Sequence, residues 1–265
     1  MLAKLPVELM NMVVCHSSFT SASTIRLLNQ RTKELVDSCP EYKNLVAHAP
    51  STMASLVYTG VANHFTVFHL FGILCVSKCS SCANFAAFIW LPECKRVCVP
   101  CVRKDPAYMP MTVADATIAF GLGKKTLETI PIVKTLPGEY GLWTSTRRRQ
   151  MLLLSEQWAR DAALLQRVAR RNALGCANKT LDDISRYMAT AFMPVLLQRA
   201  TGEVSEGVFC TGCRIASENR TLSGQQKELL IDRREQSYSP SSFLLHFKEC
   251  LAAQQIWKER SRSTQ

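Results

Sequence analysis

Long apolar runs are missing from this chain: its longest stretches, 70–76 and 83–92 with one Asn, fall far short of the ~20 residues a membrane-spanning helix needs. The opening MLAKLPVELM has one lysine and no sustained apolar segment before a small-residue cleavage site. A soluble, intracellular protein of the cytoplasm or nucleus, with no membrane partner, is therefore expected. No internal repeat or low-complexity segment stands out, which argues against solenoid architectures. A phosphate loop is also lacking. Gly121-Leu122-Gly123-Lys124-Lys125-Thr126 comes near one, but neither register places Gly, Lys and Ser/Thr in succession after the required spacing. His16, His48, His64 and His69 sit in no Ser/His/Asp or Cys/His arrangement legible in sequence, so no catalytic residue is assigned and the chain is not expected to be an enzyme.

What is present is a chain of 265 residues, 47% hydrophobic, long enough to bury a core as one large domain or two smaller ones. Its twelve cysteines, in a chain with no secretory leader expected, favour metal over disulfides. Eight residues have metal-ligand spacing. Cys79-Ser80-Ser81-Cys82 is followed fifteen residues later by Cys98-Val99-Pro100-Cys101, and Cys210-Thr211-Gly212-Cys213 is answered, after 32 residues, by His246 and Cys250. A Cys-x-x-Cys pair puts two thiolates on one tight turn, and a second pair completes the tetrahedral shell Zn²⁺ prefers. Cys94, Cys98 and Cys101 lie on one short segment and only two need bind; Cys98 and Cys101 are chosen, with Cys94 the substitute. Catalytic zinc keeps a position open for water, whereas each set here supplies four ligands, so two structural Zn²⁺ ions are expected. Buried free cysteines, which behave as small hydrophobes, are the plain alternative.

Periodicity predicts short helices over 5–60. One is capped by Ser21 or Ser23 and carries Ile25, Leu28, Leu35 and Val36 on its apolar face; Pro40 ends it, and another starts at Pro50 and ends at Gly60. A hydrophobic, hairpin-like stretch joins the knuckles of 79–101. Thr112 should cap a helix through Phe120, stopped by Gly121 and Gly123, and 131–137 looks extended. A long amphipathic helix is expected over 148–171, with Leu154, Trp158, Leu165 and Val168 on one face and Arg160, Arg167 and Arg171 on the other. The segment 192–197 looks strand-like, and 216–236 is the most flexible-looking stretch. The tail, 242–257, reads as one helix presenting His246 and Cys250 one turn apart.

The run Leu5-Pro6-Val7-Glu8-Leu9, with Ile25-Arg26-Leu27-Leu28-Asn29 and Glu34-Leu35-Val36 after it, resembles an F-box, the helical motif that docks onto the Skp-type adaptor of a cullin-RING ubiquitin ligase. The downstream order is similar to that of F-box proteins of the filamentous-fungal type with a Cys-rich C-terminal region: a knuckle like 79–101, a segment like 185–190, a Thr201-Gly202 turn, a Gly-x-x-Cys-x-x-Cys like 207–213, and a Phe-x-x-His-Phe-x-x-Cys helix like 243–250 ending in Trp257. The family's second knuckle often has adjacent cysteines, and Val97 takes one of those places here.

The resemblance implies a mainly α protein in which F-box-like adaptor-docking helices occupy 1–50. A helical, Cys-rich, substrate-recruiting domain of 51–265 follows, an α+β region stapled by its two Cys/His metal sites. Leu5, Pro6, Leu9, Ile25 and Leu28 would contribute the docking surface or the core beneath it. Such a chain would be a non-catalytic receptor subunit recruiting an unidentified protein to ubiquitin-dependent degradation. The alternative is a nucleic-acid-binding zinc protein using its net charge of +11 and the arginines at 147–149, 160, 167, 170 and 171. It is disfavoured, because only Lys95 and Arg96 are basic between Cys79 and Cys101.

Overall fold

A computed structural model describes residues 6–141, 145–165, 181–218 and 224–263. The fold is rich in short helices, with small antiparallel sheets between them. It opens with six helices, α1 (Val7–His16), α2 (Phe19–Arg26), α3 (Gln30–Ser38), α4 (Pro40–His48), α5 (Pro50–Tyr58) and α6 (Val67–Leu74). Strands β1 (Phe88–Trp90) and β2 (Lys95–Val97), helix α7 (Val99–Lys104), strand β3 (Pro110–Thr112) and helices α8 (Val113–Phe120) and α9 (Lys124–Leu127) follow. Next come β4 (Val133–Lys134), β5 (Gly138–Tyr140), β6 (Ser145–Arg147), β7 (Leu152–Ser155), α10 (Glu156–Leu165), α11 (Ile184–Met188) and β8 (Thr190–Phe192). The C-terminal third runs β9 (Val195–Leu197), β10 (Val204–Glu206), β11 (Val208–Phe209), α12 (Thr211–Ser217), α13 (Gly224–Glu235), β12 (Ser237–Tyr238), α14 (Pro240–Glu249) and α15 (Leu251–Ser263). Among the described residues no helix is long and apolar enough to cross a membrane.

The chain divides into two compact units, one of residues 1–74, 89–95 and 105–193, the other of 75–88, 96–104 and 194–265. In the first, the N-terminal helices bury Met10, Val14, Phe19, Val36, Tyr42, Leu45, Leu56 and Leu70 against one another. A neighbouring core gathers Met111, Ala116, Phe120, Leu122, Ile130, Leu154 and Ala159. The helix starts are chemically marked. Ser18 accepts from Ser21 N–H, Asn29 and Thr32 form a reciprocal capping box, and Thr112 accepts from Asp115 N–H at 3.0 Å. Gly121, at φ 66°, closes α8 in the left-handed conformation that a residue lacking Cβ adopts cheaply.

Several local expectations are overturned. The helix expected from Ser21 or Ser23 through Val36 is two helices, capped by Ser18 and Asn29, because Asn29 takes an extended backbone and starts α3 anew. The expected helix over 148–171 begins only at Glu156. Residues 152–155 instead form the middle strand of the sheet β3-β7-β4, where Leu153 opposes Thr112 on one side and Val133 on the other. Arg147 lies on β6, and Arg167, Arg170 and Arg171 fall outside the described residues. A run of three leucines has no helical period of its own, and sheet pairing decides it.

The second unit has a hairpin, β9–β10, an antiparallel pair β11–β12 that closes around α12 and α13 in sequence, and helices α7 and α12 to α15. Gly202, at φ 73°, makes the expected turn between β9 and β10. Within the stretch 216–236, expected to be flexible, residues 224–235 form α13, while 219–223 lie outside the described residues. Arg103 of α7 pairs with Asp232 and Glu228 of that helix, and Lys104 also pairs with Asp232. The tail is likewise two helices rather than one, broken at Cys250, whose backbone (φ −92°, ψ 92°) leaves the helical region while its N–H still bonds His246 C=O at 3.0 Å.

Candidate metal centres

The first knuckle is a tight turn of backbone hydrogen bonds. Cys79 N–H donates to Asn84 C=O at 2.7 Å and Ala83 N–H to Cys79 C=O at 3.1 Å, which forces Ala83 to φ 61°. Ser80 N–H and its hydroxyl both donate to Arg96 C=O at 2.9 Å, laying the knuckle against the approach to Cys98. Arg96 is buried, and its guanidinium donates to the carbonyls of Ala86 and Val195, so its charge is spent on orphan backbone acceptors inside this unit. Cys98 precedes α7 and Cys101 lies within its first turn, which brings the second pair of sulfurs back to the first.

In this group the ligand atoms of Cys79, Cys82, Cys98 and Cys101 all lie within 4.8 Å of one another, with Cys82 Sγ 3.5 Å from Cys98 Sγ. A tetrahedron with Zn–S bonds of about 2.3 Å has S···S edges of about 3.8 Å. Cys98 N–H points at Cys79 Sγ at 3.4 Å, a donor suited to thiolate. Cys94 is not among the four; it is buried at φ 48° in the turn after β1.

The second group is assembled from α12, α14 and the break before α15. Cys210 caps α12, its sulfur accepting from Cys213 N–H at 3.4 Å. Cys250 Sγ stands 3.8 Å from both Cys210 Sγ and Cys213 Sγ, and His246 Nε2 is 3.4 Å from Cys213 Sγ. The imidazole stacks on Tyr238 at 4.5 Å between centroids, and Phe243 and Phe247 close the surroundings. Gly212 is required by contact: a Cβ there would meet Ala253 N at 2.3 Å, so only glycine lets α15 lie against the knuckle.

Without an ion, electrostatics favours the ligating form at Cys79 and His246 and opposes it at Cys98, Cys101, Cys210 and Cys213. The hydrogen bond from Cys98 holds Cys79 down to about 4, and Cys98 in turn is pushed up by sharing that bond and by burial. Burial raises Cys101 to about 12 and also raises Cys210 and Cys213, while it lowers His246 and so favours the neutral imidazole that ligates. Four sulfurs converging within 4.8 Å cannot all ionise alone, and a divalent cation would supply the missing positive charge. Both groups fit Zn²⁺ by donor type, number and spacing, and neither leaves a ligand position for substrate.

Away from the metal groups, the described residues singled out for docking lie on α1 and α2 or just beyond their ends. Leu5 lies outside the described residues. Pro6 is exposed, Leu9 is 48% and Leu28 61% exposed, and Ile25 is half-buried. Met12 and Leu27, not singled out from the sequence, are 58% and 79% exposed. Exposure is a property of packing, and the helical period alone cannot tell an outward leucine from an inward one. Arg147, Arg148 and Arg149 border a cavity of about 430 Å³ with Met151, Leu181 and Met188, and Arg147 is paired there with Asp182. Arg160 is paired with Glu156, its guanidinium 5.5 Å from the Phe120 ring centroid.

Compared with known proteins, the chain matches no family model, no curated protein and no solved structure.

Proposed function

We propose that this protein is a non-catalytic receptor subunit of a cullin-RING ubiquitin ligase, docking by its N-terminal helices onto a Skp-type adaptor and presenting a protein target on its zinc-stapled unit. The observation that carries the reading is the set of large apolar side chains that α1 and the turn after α2 leave in water, Leu9, Met12, Leu27 and Leu28. A few such anchors supply most of the free energy when a partner groove buries them. The resemblance of 5–9 and 25–29 to an F-box names the partner. Metal groups with four protein ligands each support a scaffolding role for zinc rather than turnover.

The test is calorimetric titration of the full chain with purified Skp-type adaptor, alongside a Leu9→Ala/Leu28→Ala variant, with zinc content measured on both. Saturable binding by the wild type, weakened at least tenfold in the variant at equal zinc, is the expected result. Absence of binding by zinc-loaded wild type would overturn the reading.

A nucleic-acid role is the second reading, favoured by the exposed Arg148 and Arg149 at the cavity rim. It is weakened because Arg147 and Arg160 are engaged by acids. Binding of single-stranded RNA or DNA that falls steeply between low and moderate salt would favour it.

A further inference from the structure

We propose that Cys15, Cys39 and Glu41 form a third metal site, in the N-terminal helical bundle, that takes a thiophilic divalent cation such as Zn²⁺ and holds it exchangeably. These residues have no motif spacing. Cys15 lies in the last turn of α1, Cys39 is the single residue between α3 and α4, and Glu41 is the second residue of α4. The packing of α1 against α3 and α4 brings them together.

Cys15 Sγ is 3.7 Å from Cys39 Sγ, and Cys39 Sγ is 3.5 Å from Glu41 Oε2; all three ligand atoms lie within 4.8 Å of one another. A tetrahedral zinc with sulfur at about 2.3 Å and carboxylate oxygen at about 2.1 Å has S···S edges of about 3.8 Å and S···O edges of about 3.6 Å. The separations are the same as those in the two Cys/His groups, where sulfurs stand 3.5 to 3.8 Å apart.

The site is also held in place. Cys39 is fully buried, its N–H donating to Val36 C=O at 3.1 Å and its carbonyl accepting from Lys43 N–H at 3.0 Å, so its sulfur is fixed by two helices at once. Cys15 and Glu41 are only half-buried, which gives an ion a way in. Three protein ligands leave a fourth position for water or a small thiol, the arrangement of exchangeable rather than sealed zinc. A bound ion would tie the end of α1 to the α3–α4 corner and so stiffen the helix that bears Leu9. Two thiols merely touching would not need the carboxylate, and a disulfide would require the sulfurs to close to about 2.0 Å.

The experiment uses the untagged full chain, purified under reductant, titrated with Zn²⁺ and desalted, with metal counted by plasma mass spectrometry and the cadmium-loaded protein followed by cadmium NMR. The wild type should bind about three ions per chain and give three cadmium resonances. Cys15→Ser should lose one ion and one resonance while the other two persist. Glu41→Gln, at a half-exposed position that leaves both thiols in place, should release the third ion at a chelator concentration at least tenfold lower than the wild type does. If Cys15→Ser fails to fold, that chelator shift in Glu41→Gln decides alone. A wild type saturating at two ions, a Cys15→Ser variant that keeps all three, an unshifted Glu41→Gln, or a Cys15–Cys39 disulfide in protein holding two ions would each overturn the proposal.

Discussion

In the unit of 1–74, 89–95 and 105–193 the interior is made of methionine, leucine, valine and aromatic side chains, from Met10 and Leu45 to Met111 and Leu154. In the unit of 75–88, 96–104 and 194–265 the buried side chains are mostly small, Ala86, Ala87, Val97, Val102 and Ala253 beside Cys79, Cys98, Cys210 and Cys213, with Leu197 and Ile231 the larger exceptions. Apolar burial stabilises by roughly 25 cal/mol per Å² removed from water, so the first unit has a source of stability that the second largely lacks. The second compensates with ligand groups and with charges turned inward: Arg96 on backbone carbonyls, and Arg103 beside Asp232 and Glu235. Two halves of one chain thus solve the same problem by different chemistry, and they should fail under different insults.

The largest effect that separates them is metal removal. Zinc binding free energy in small structural sites is folding free energy, on the order of 10 kcal/mol per site. A strong chelator should therefore abolish hydrogen-exchange protection in α12, α14 and α15 while leaving that of α5 and α8 in place. Equal loss in both units would remove the distinction. The reverse insult is a cavity in the apolar bundle. Leu45→Ala should cost about 3 kcal/mol in denaturant unfolding of the first unit, with zinc content unchanged.

Acidity sharpens the comparison, because Glu235 is a buried carboxyl of the second unit. Its Oε2 is 3.3 Å from Arg103 Nε, but the pair is not aligned as a hydrogen bond, and burial raises its pKa from 4.5 to about 7. A raised carboxyl favours the folded state when protonated. The contribution is full below pH 4.5 and is lost as pH rises to about 7, at up to about 3 kcal/mol. Measured at saturating zinc, Glu235→Gln should therefore gain stability relative to wild type between pH 5 and about 8; a difference independent of pH would contradict the buried, protonated carboxyl. Smaller still, Thr112→Ala should cost about 1 kcal/mol in the first unit through loss of the bond to Asp115 N–H. The smallest stability change belongs to Leu9→Ala/Leu28→Ala, within about 0.5 kcal/mol by thermal melting, since both side chains already stand in water. A larger loss would mean they hold the bundle together rather than wait for a partner.

Both Cys/His groups were legible as spacings because a Cys-x-x-Cys turn is local: three residues set the distance between its sulfurs, whatever surrounds them. The caps at Thr112 and Gly121 were legible for the same reason. Ser18 and Asn29 were missed as caps because several serines nearby could serve, and the choice among them rests on how α2 and α3 pack. Cys15, Cys39 and Glu41 carried no signal, since two of them come from helices that meet only in the bundle.

By itself the sequence determined which residues can ligate zinc, where several helices start and stop, and the excess of positive charge, all set by chemistry within a few neighbours. Only the tertiary structure decided that 152–155 is a strand and that α13 is ordered by ions from α7. It also decided that the tail breaks at Cys250 and that Leu9 and Leu28 face water. Those outcomes depend on partners far away in the chain, and a side chain's surroundings exist only once the chain has closed on itself.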